Sequence, residues 1–335
     1  MLAIAYVRYG GPDVTEVIDA PVPSPAADEV LIRVRAAGLN PVDAYQRAGA
    51  LRAISPQRLP VVGGNELSGV VEAVGERVES CRPGDAVIAR TGKAKLGAFA
   101  QYAVVREDIV ARAPHRVDLT VAAGLPLAGL TALQALDALE LRAGERILIT
   151  GGAGGVGLFA IRLATLRGAH VTTTASSAGE QFVRAAGAAA VIDYHTTSPS
   201  AAGETFDKVF DLVGGEELPR LFGVTRKGGL VLSIAGPVTA DAIAGDLHGL
   251  RRVLVSAVLN VRTRGIRAAV RRAGVSYRYL FMHPSGSQLQ SLADLVDDGK
   301  LDIVIDSTYD FSDFRAAFER LESRRAKGKV LLTMP

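Results

Sequence analysis

The sequence predicts an α/β protein with a β-rich domain and a doubly wound parallel sheet. Two observations carry this reading. Short alternating strands fill the chain up to about residue 122. Strands and helices alternate after Leu119, with a glycine loop at the first junction. The length of 335 residues fits two domains, on a prior of about 150 residues per domain.

The elements follow in order. Met1–Val7 reads as a strand. Val30–Ala36, Gly69–Gly75 and Asp85–Arg90 alternate in the strand manner and are bounded by glycine or proline, with an Arg82-Pro-Gly-Asp turn between the last two. The uncharged stretch Leu119–Leu136 contains Pro126 and several alanines, so it reads as buried helix-turn-helix and not as a span. Six apolar strands come next, at Arg146–Thr150, Ala169–Thr174, Ala190–Asp193, Phe206–Leu212, Gly229–Ile234 and Tyr277–Met282. Strands apolar on both faces belong to a parallel sheet covered on both sides. A helix at Leu289–Asp298 and strand pieces at Ile303 and Val330 close the chain. The expected domains are 1–122 with 285–335, and 123–284 with a basic helical insert at about 246–275.

Composition narrows the function. Thirty-eight basic against 35 acidic residues give a net charge of +3, which does not support a dedicated nucleic-acid binder. The single cysteine, Cys81, excludes an intramolecular disulfide and every multi-cysteine metal site. No targeting segment is visible, so the expected location is the cytoplasm.

The loop Thr150-Gly-Gly-Ala-Gly-Gly-Val-Gly157 follows a strand and opens a helix. Gly152, Gly154 and Gly157 fit the dinucleotide fingerprint. The first permits the tight turn, the second lets the backbone approach a pyrophosphate, and the third packs helix on strand. Gly155 and Val156 complete the loop, whose amides and helix dipole suit phosphate. At the end of the second strand, an NAD site usually carries an acid for the ribose. Here Ser176 and Ser177 stand there, and the first acid is Glu180. Two hydroxyls remove the repulsion against a 2′-phosphate, so NADP(H) is the expected cofactor. Either serine also suits a helix N-cap.

These residues resemble the zinc-free medium-chain dehydrogenase/reductases, specifically the quinone oxidoreductase (zeta-crystallin-like) branch. The likeness runs through Ala36–Tyr45, Gly69–Gly75, Gly97–Tyr102, Gly129–Ala132, the glycine loop, Val191–Tyr194 and Gly328–Leu332. It implies a groES-like catalytic domain plus a Rossmann domain, a homodimer, and a small-molecule quinone or enone substrate. Zinc relatives have a cysteine at the Asn40-Pro-Val-Asp stretch and a His-Glu pair at Asn65-Glu66, so no metal is expected here. The resemblance places Asn40, Asp43 and Tyr45 beside the nicotinamide, with Tyr45 touching substrate and donating a proton or hydrogen bond. It places Thr131 near the nicotinamide, and Tyr194 and Arg324 near the 2′-phosphate. Asn40 before Pro41 also fits a turn, and Asp43 a helix cap. Many NADP-binding relatives have a lysine where this chain has Glu180; Arg184 or Arg324 would compensate.

The activity implied is hydride transfer from NADPH to a quinone or to an α,β-unsaturated ketone. The alternatives are a dedicated biosynthetic enoyl reductase, or a low-turnover NADPH-binding protein with a membrane or protein partner. The five histidines show no ligand spacing.

One segment stands apart. His248–Ala293 holds no acid and eight arginines: Arg251, Arg252, Arg262, Arg264, Arg267, Arg271, Arg272 and Arg278. Leu250, Val253, Leu254, Ala257, Val258 and Val261 keep helical spacing, with a break expected near Gly265. The plain expectation is a helix packed on its domain with a solvated basic face. The alternatives are a cap over the substrate cleft, weak contact with an anionic membrane, or an acidic partner.

Overall fold

The computed structural model describes residues 1–52, 55–92, 96–243 and 249–335, without the side chains of Ile243, Leu250, Arg251, Arg252 and Leu254. The chain divides into two compact units, Met1–Leu130 with His283–Pro335, and Thr131–Met282.

The first unit opens with β1 (Leu2–Tyr6) and β2 (Thr15–Asp19), paired antiparallel. The long β3 (Glu29–Leu39) follows, buried along most of its length with Arg33 and Arg35 turned out. α1 (Pro41–Arg47) begins immediately after it, with Asn40 as N-cap. Pro41 suits the first helical position because its missing N–H would have no partner there. Then come β4 (Val61–Val62), β5 (Glu66–Val74), β6 (Ala86–Arg90), β7 (Tyr102–Arg106) and β8 (Val110–Arg112). The uncharged stretch forms two helices, α2 (Leu119–Ala122), capped by Asp118, and α3 (Pro126–Ala138).

The second unit holds β9 (Arg146–Ile149), α4 (Gly155–Leu166), β10 (His170–Ala175), α5 (Ser177–Ala185), β11 (Ala190–Asp193), β12 (Phe206–Asp211), α6 (Leu218–Leu221), β13 (Thr225–Ser233), α7 (Gly249–Arg262), α8 (Arg264–Ala273) and β14 (Ser276–Tyr279). Its sheet runs β11-β10-β9-β12-β13-β14, and every pair is parallel. That is the doubly wound order, with the reversal at β9.

The chain then returns to the first unit through α9 (Gly286–Asp297), β15 (Ile305–Asp310), α10 (Phe314–Glu322) and β16 (Lys329–Thr333). There the main sheet runs β15-β16-β3-β5-β6-β8, with β7 also on β3. Tyr6, Phe99, Phe314, Phe318 and the inward residues of β3, β5 and β16 form its core.

One expectation about the basic segment holds and another changes. The helix breaks at Thr263, two residues before Gly265. Val253, Val258 and Val261, expected to pack inward, are 64%, 54% and 64% exposed. Spacing tells which residues share a helix face but not which face meets the body. Here Val255 and Leu259 lie on the less exposed side. Residues 246–248 of the expected insert, and the side chains of Leu250, Arg251, Arg252 and Leu254, lie outside the described residues. No described helix is long and apolar enough to cross a membrane.

Candidate active site

In the first unit, neighbouring strands bring distant residues to one sheet end. Leu39 ends β3 opposite Val330 of β16, and Ala37 lies opposite Leu67 of β5. Asn40, Glu66 and Lys329 therefore meet, although 263 positions separate the last two. The Lys329 ammonium lies 2.6 Å from Glu66 Oε1, and both side chains are buried. It also donates to the Leu39 carbonyl (3.2 Å) and to Asn40 Oδ1. These acceptors match the three N–H groups of an ammonium. Glu66 is satisfied too, accepting from Asn40 Nδ2 (2.7 Å) on one oxygen and from the Leu127 amide (2.6 Å) on the other. A side chain at Gly38 would collide with Glu66 Oε1, so the close approach requires glycine there.

Asp43 extends the network. Its carboxylate accepts from Asn65 Nδ2 and from the Asn40 amide, both at 2.7 Å. Asn65 Nδ2 also donates to Gln46 Oε1 at 2.7 Å. Asp43 is fully buried, and that burial pushes its carboxyl up to about 7 against the lowering effect of the Asn65 and Asn40 hydrogen bonds. Arg90, buried nearby, is pulled down to about 10 by desolvation, which Asp43 and Glu66 oppose.

Of the site residues expected in this unit, Asn40 and Asp43 lie together inside the network. Tyr45, on the same helix, is half exposed. Asp43 reaches a ligand only through its neighbours, while Tyr45 presents its side chain to solvent. Sequence reasoning missed Lys329, Gln46 and the partnership of Asn65 with Asp43. The only signals were a lone acid at the start of an apolar strand and a lysine at the start of another.

In the second unit, the sheet order β11-β10-β9 sets three strand ends side by side. The glycine loop follows β9, Ser176 and Ser177 follow β10, and Tyr194 follows β11. Gly154 is the N-cap of α4, and no side chain caps that end. The first ladder N–H is that of Leu158, bonded to Gly154 O, so the amides of Gly155, Val156 and Gly157 precede the ladder. A Cβ at Gly157 would stand 2.5 Å from Gly152 O and 2.6 Å from Gly151 O. One at Gly152 would strike Thr173 Oγ1. The loop is thus fixed by contacts only glycine permits, and it fits a dinucleotide pyrophosphate.

Two further residues hold this loop, neither of them given a role in the sequence reading. Thr174 Oγ1 accepts from the Gly151 amide at 2.8 Å. The buried Asp211 accepts from Thr150 Oγ1 (3.0 Å), the Gly214 amide (2.9 Å) and Ser233 Oγ (2.7 Å). It ties together the carboxyl ends of β9, β12 and β13. Ser176 caps α5 by position without a side-chain bond to the helix, which leaves its hydroxyl unused by the cap. Glu180 is matched by Arg184 at 2.7 Å. Tyr194 is half exposed and lies against His195, their ring centroids 4.4 Å apart and the planes tilted by 44°. Thr131 is buried in α3. Arg324 is exposed in the first unit, at φ +57°.

Comparison with known proteins agrees with both halves. Residues 26–115 match the alcohol dehydrogenase GroES-like domain, and residues 186–332 match a family described as zinc-binding dehydrogenase. The chain is 34% identical to the chloroplastic NADPH-dependent alkenal/one oxidoreductase of Arabidopsis thaliana, covering 99% of this chain and 79% of that protein. It is 32% identical to the mitochondrial NAD(P)H oxidoreductase of Danio rerio, covering 92% and 84%. Among solved structures it resembles the quinone oxidoreductase of Coxiella burnetii, with TM-score 0.85, 30% identity and coverage of 100% and 99%. The Escherichia coli quinone oxidoreductase complexed with NADPH gives TM-score 0.82 at 26% identity, over 99% and 100%. The chain belongs to the medium-chain dehydrogenase/reductase family, in its quinone oxidoreductase branch.

These relatives overturn the expected cytoplasmic location. They are chloroplast and mitochondrial proteins by name. The absence of a visible targeting segment carries no address, and the fold itself is indifferent to compartment.

Three outcomes test the site. Lys329→Met leaves Glu66 buried without a counter-charge, so urea unfolding should show a loss of about 3–5 kcal/mol. Asp43 binds its proton more tightly folded than unfolded. Its contribution is therefore full below about pH 4 and lost as pH rises to about 7. Wild-type stability should fall relative to Asp43→Asn across that window and run parallel above it. Gly157→Ala should weaken dinucleotide binding at least tenfold by fluorescence titration, because the Cβ would push the loop off its amides.

Proposed function

We propose that this chain is an NADPH-dependent, zinc-independent reductase of quinones or activated alkenes such as α,β-unsaturated ketones. The observation that supports the reading is the Lys329 ammonium bonded to Glu66 and Asn40, in the two stretches where, by the resemblance, zinc relatives carry a cysteine and a His-Glu pair. Two amides, Asn40 and Asn65, and a carboxylate already neutralised by lysine are a poor donor set for zinc. No cluster of three or more His, Cys, Asp or Glu among the described residues could hold a metal ion. A reaction that does not rely on a Lewis acid needs an acceptor already polarised, such as a quinone or a conjugated ketone.

NADPH when bound supplies the hydride. The chain's residues do the rest. The amides of Gly155, Val156 and Gly157 hold the pyrophosphate at the N-terminus of α4. Ser176 and Ser177 take the 2′-phosphate at the end of β10, where no carboxylate opposes it, with Tyr194 beside them on the next strand end. Thr131, buried in α3, serves the nicotinamide. Tyr45 donates a hydrogen bond to the acceptor oxygen and then a proton as charge develops there. Asn40 and Asp43 act as positioning residues, fixing the start of the helix that carries Tyr45. The reading includes a homodimer, for which the edge strand β14 offers a pairing surface.

The test is NADPH consumption with ortho-quinones and enones, run beside simple ketones and after chelator treatment. Turnover of the first two classes alone, unchanged by chelator and much faster with NADPH than NADH, is expected. Tyr45→Phe should lower kcat by about 10²-fold. NADPH binding without turnover of any acceptor would overturn the catalytic reading, and equal use of NADH would overturn the role of the serines.

A further inference from the structure

α7 and α8 carry a surface that the proposed reaction does not use. On α7, Val253, Ala257, Val258 and Val261 are all exposed. On α8 and its junction, Arg262, Arg264, Arg267, Arg271 and Arg272 are exposed. The two helices meet at Thr263, which ends the ladder of α7 and starts that of α8. The Thr263 amide donates to Leu259 O and the Arg267 amide to Thr263 O, each at 2.9 Å. Within α7, Val253, Ala257 and Val261 recur every four residues with Val258 beside them, and within α8, Arg264, Arg267 and Arg271 recur in steps of three and four along one face. The exposed side of α7 is mainly aliphatic and the exposed face of α8 is cationic. The opposite side of α8, through Ile266, Ala269, Val270 and Ala273, packs on the core of the unit. The outward face is held in place by that packing.

We propose that this face docks the protein on an anionic lipid bilayer, lying in the interface plane with the valines at the acyl boundary and the arginines among headgroups. The charge pattern selects the partner. No acid occurs between His248 and Ala293. None of the five exposed arginines pairs with a carboxylate among the described residues, in contrast to Arg184, Arg220 and Arg226 elsewhere in the unit. Five guanidiniums with no internal counter-charge call for an anionic surface. A second copy meeting through the same patch would set like charges against each other across the two-fold axis. A protein groove is a poorer match, because residues 249–273 contain no aromatic anchor. Aliphatic residues flanked by unpaired arginines are the pattern of an interfacial helix.

Co-sedimentation with vesicles tests this. One set is phosphatidylcholine, the other carries roughly one-third phosphatidylserine. The intact protein should sediment with the anionic set at low salt, be released by high salt and ignore the neutral set. Arg264→Gln/Arg267→Gln/Arg271→Gln should weaken partitioning by about 100-fold, since each basic residue near such a surface contributes roughly fivefold. Val253→Ser/Val258→Ser/Val261→Ser should weaken it at least several-fold with the charge unchanged. Both variants should keep the wild-type circular dichroism and melting temperature, because the altered positions are exposed. Equal sedimentation with both vesicle sets, none with either, or an arginine variant that binds as wild type would overturn the proposal. So would light scattering that shows a dimer lost in the valine variant, which would assign the face to a second copy. None of these readouts depends on turnover.

Discussion

An ion pair sealed inside the first unit, Glu66 with Lys329, constrains much of what surrounds it. Removing two charges from water costs several kcal/mol each, and only good geometry with further hydrogen bonds returns it. Here the ammonium has a partner for each of its N–H groups, and each Glu66 oxygen accepts from at least one donor. Such a pair tolerates no neighbour that would displace it, which explains Gly38 at the point of closest approach. It also ties the start of β16 to the ends of β3 and β5. The first unit is complete only when the chain has returned from the second.

The second unit solves a similar problem with one carboxylate and no cation. Asp211 gathers the Thr150 and Ser233 hydroxyls and the Gly214 amide at the carboxyl ends of three strands. Thr174 fixes the other side of the loop through the Gly151 amide. The loop glycines are thus rigid by surrounding contact, despite the freedom glycine has alone. Rigid amides ahead of the α4 ladder are what an anion needs, since no reorganisation is then required on binding.

Local signals were legible in the sequence. Apolar runs and glycine punctuation placed the six parallel strands within a few residues, and the glycine spacing located the loop. Long-range partners were not. Nothing in Gly328-Lys-Val-Leu-Leu332 says that Lys329 meets Glu66, because strand order in an antiparallel sheet is set by packing and not by spacing. Asn40 and Asp43 were visible as site candidates through family resemblance, yet their burial and the upward push on Asp43 emerge only from what encloses them. α7 shows the opposite limit. Its periodicity was correct, but apolar residues occupy more than one face, and Val253, Val258 and Val261 of the stripe most evident in the sequence are turned outward. α10 packs Phe314, Ala317 and Phe318 into the core, and its signal was present but not read: Phe314, Ala317, Phe318 and Leu321 stand at i, i+3, i+4 and i+7.

The saturation of Lys329 bears on the chemistry. A catalytic metal acts through an open coordination position, which a substrate oxygen can enter. An ammonium with its N–H groups engaged by Leu39, Asn40 and Glu66 offers no such position. It supplies positive charge without a free donor, so it can steady the helix that follows Asn40 but cannot directly polarise an acceptor. Under the proposed function, polarisation then falls to the acceptor's own conjugation and to an accessible hydroxyl, and Tyr45 is the half-exposed hydroxyl on that helix. On that proposal, the same fixed charge that stabilises the fold favours substrates that need little activation.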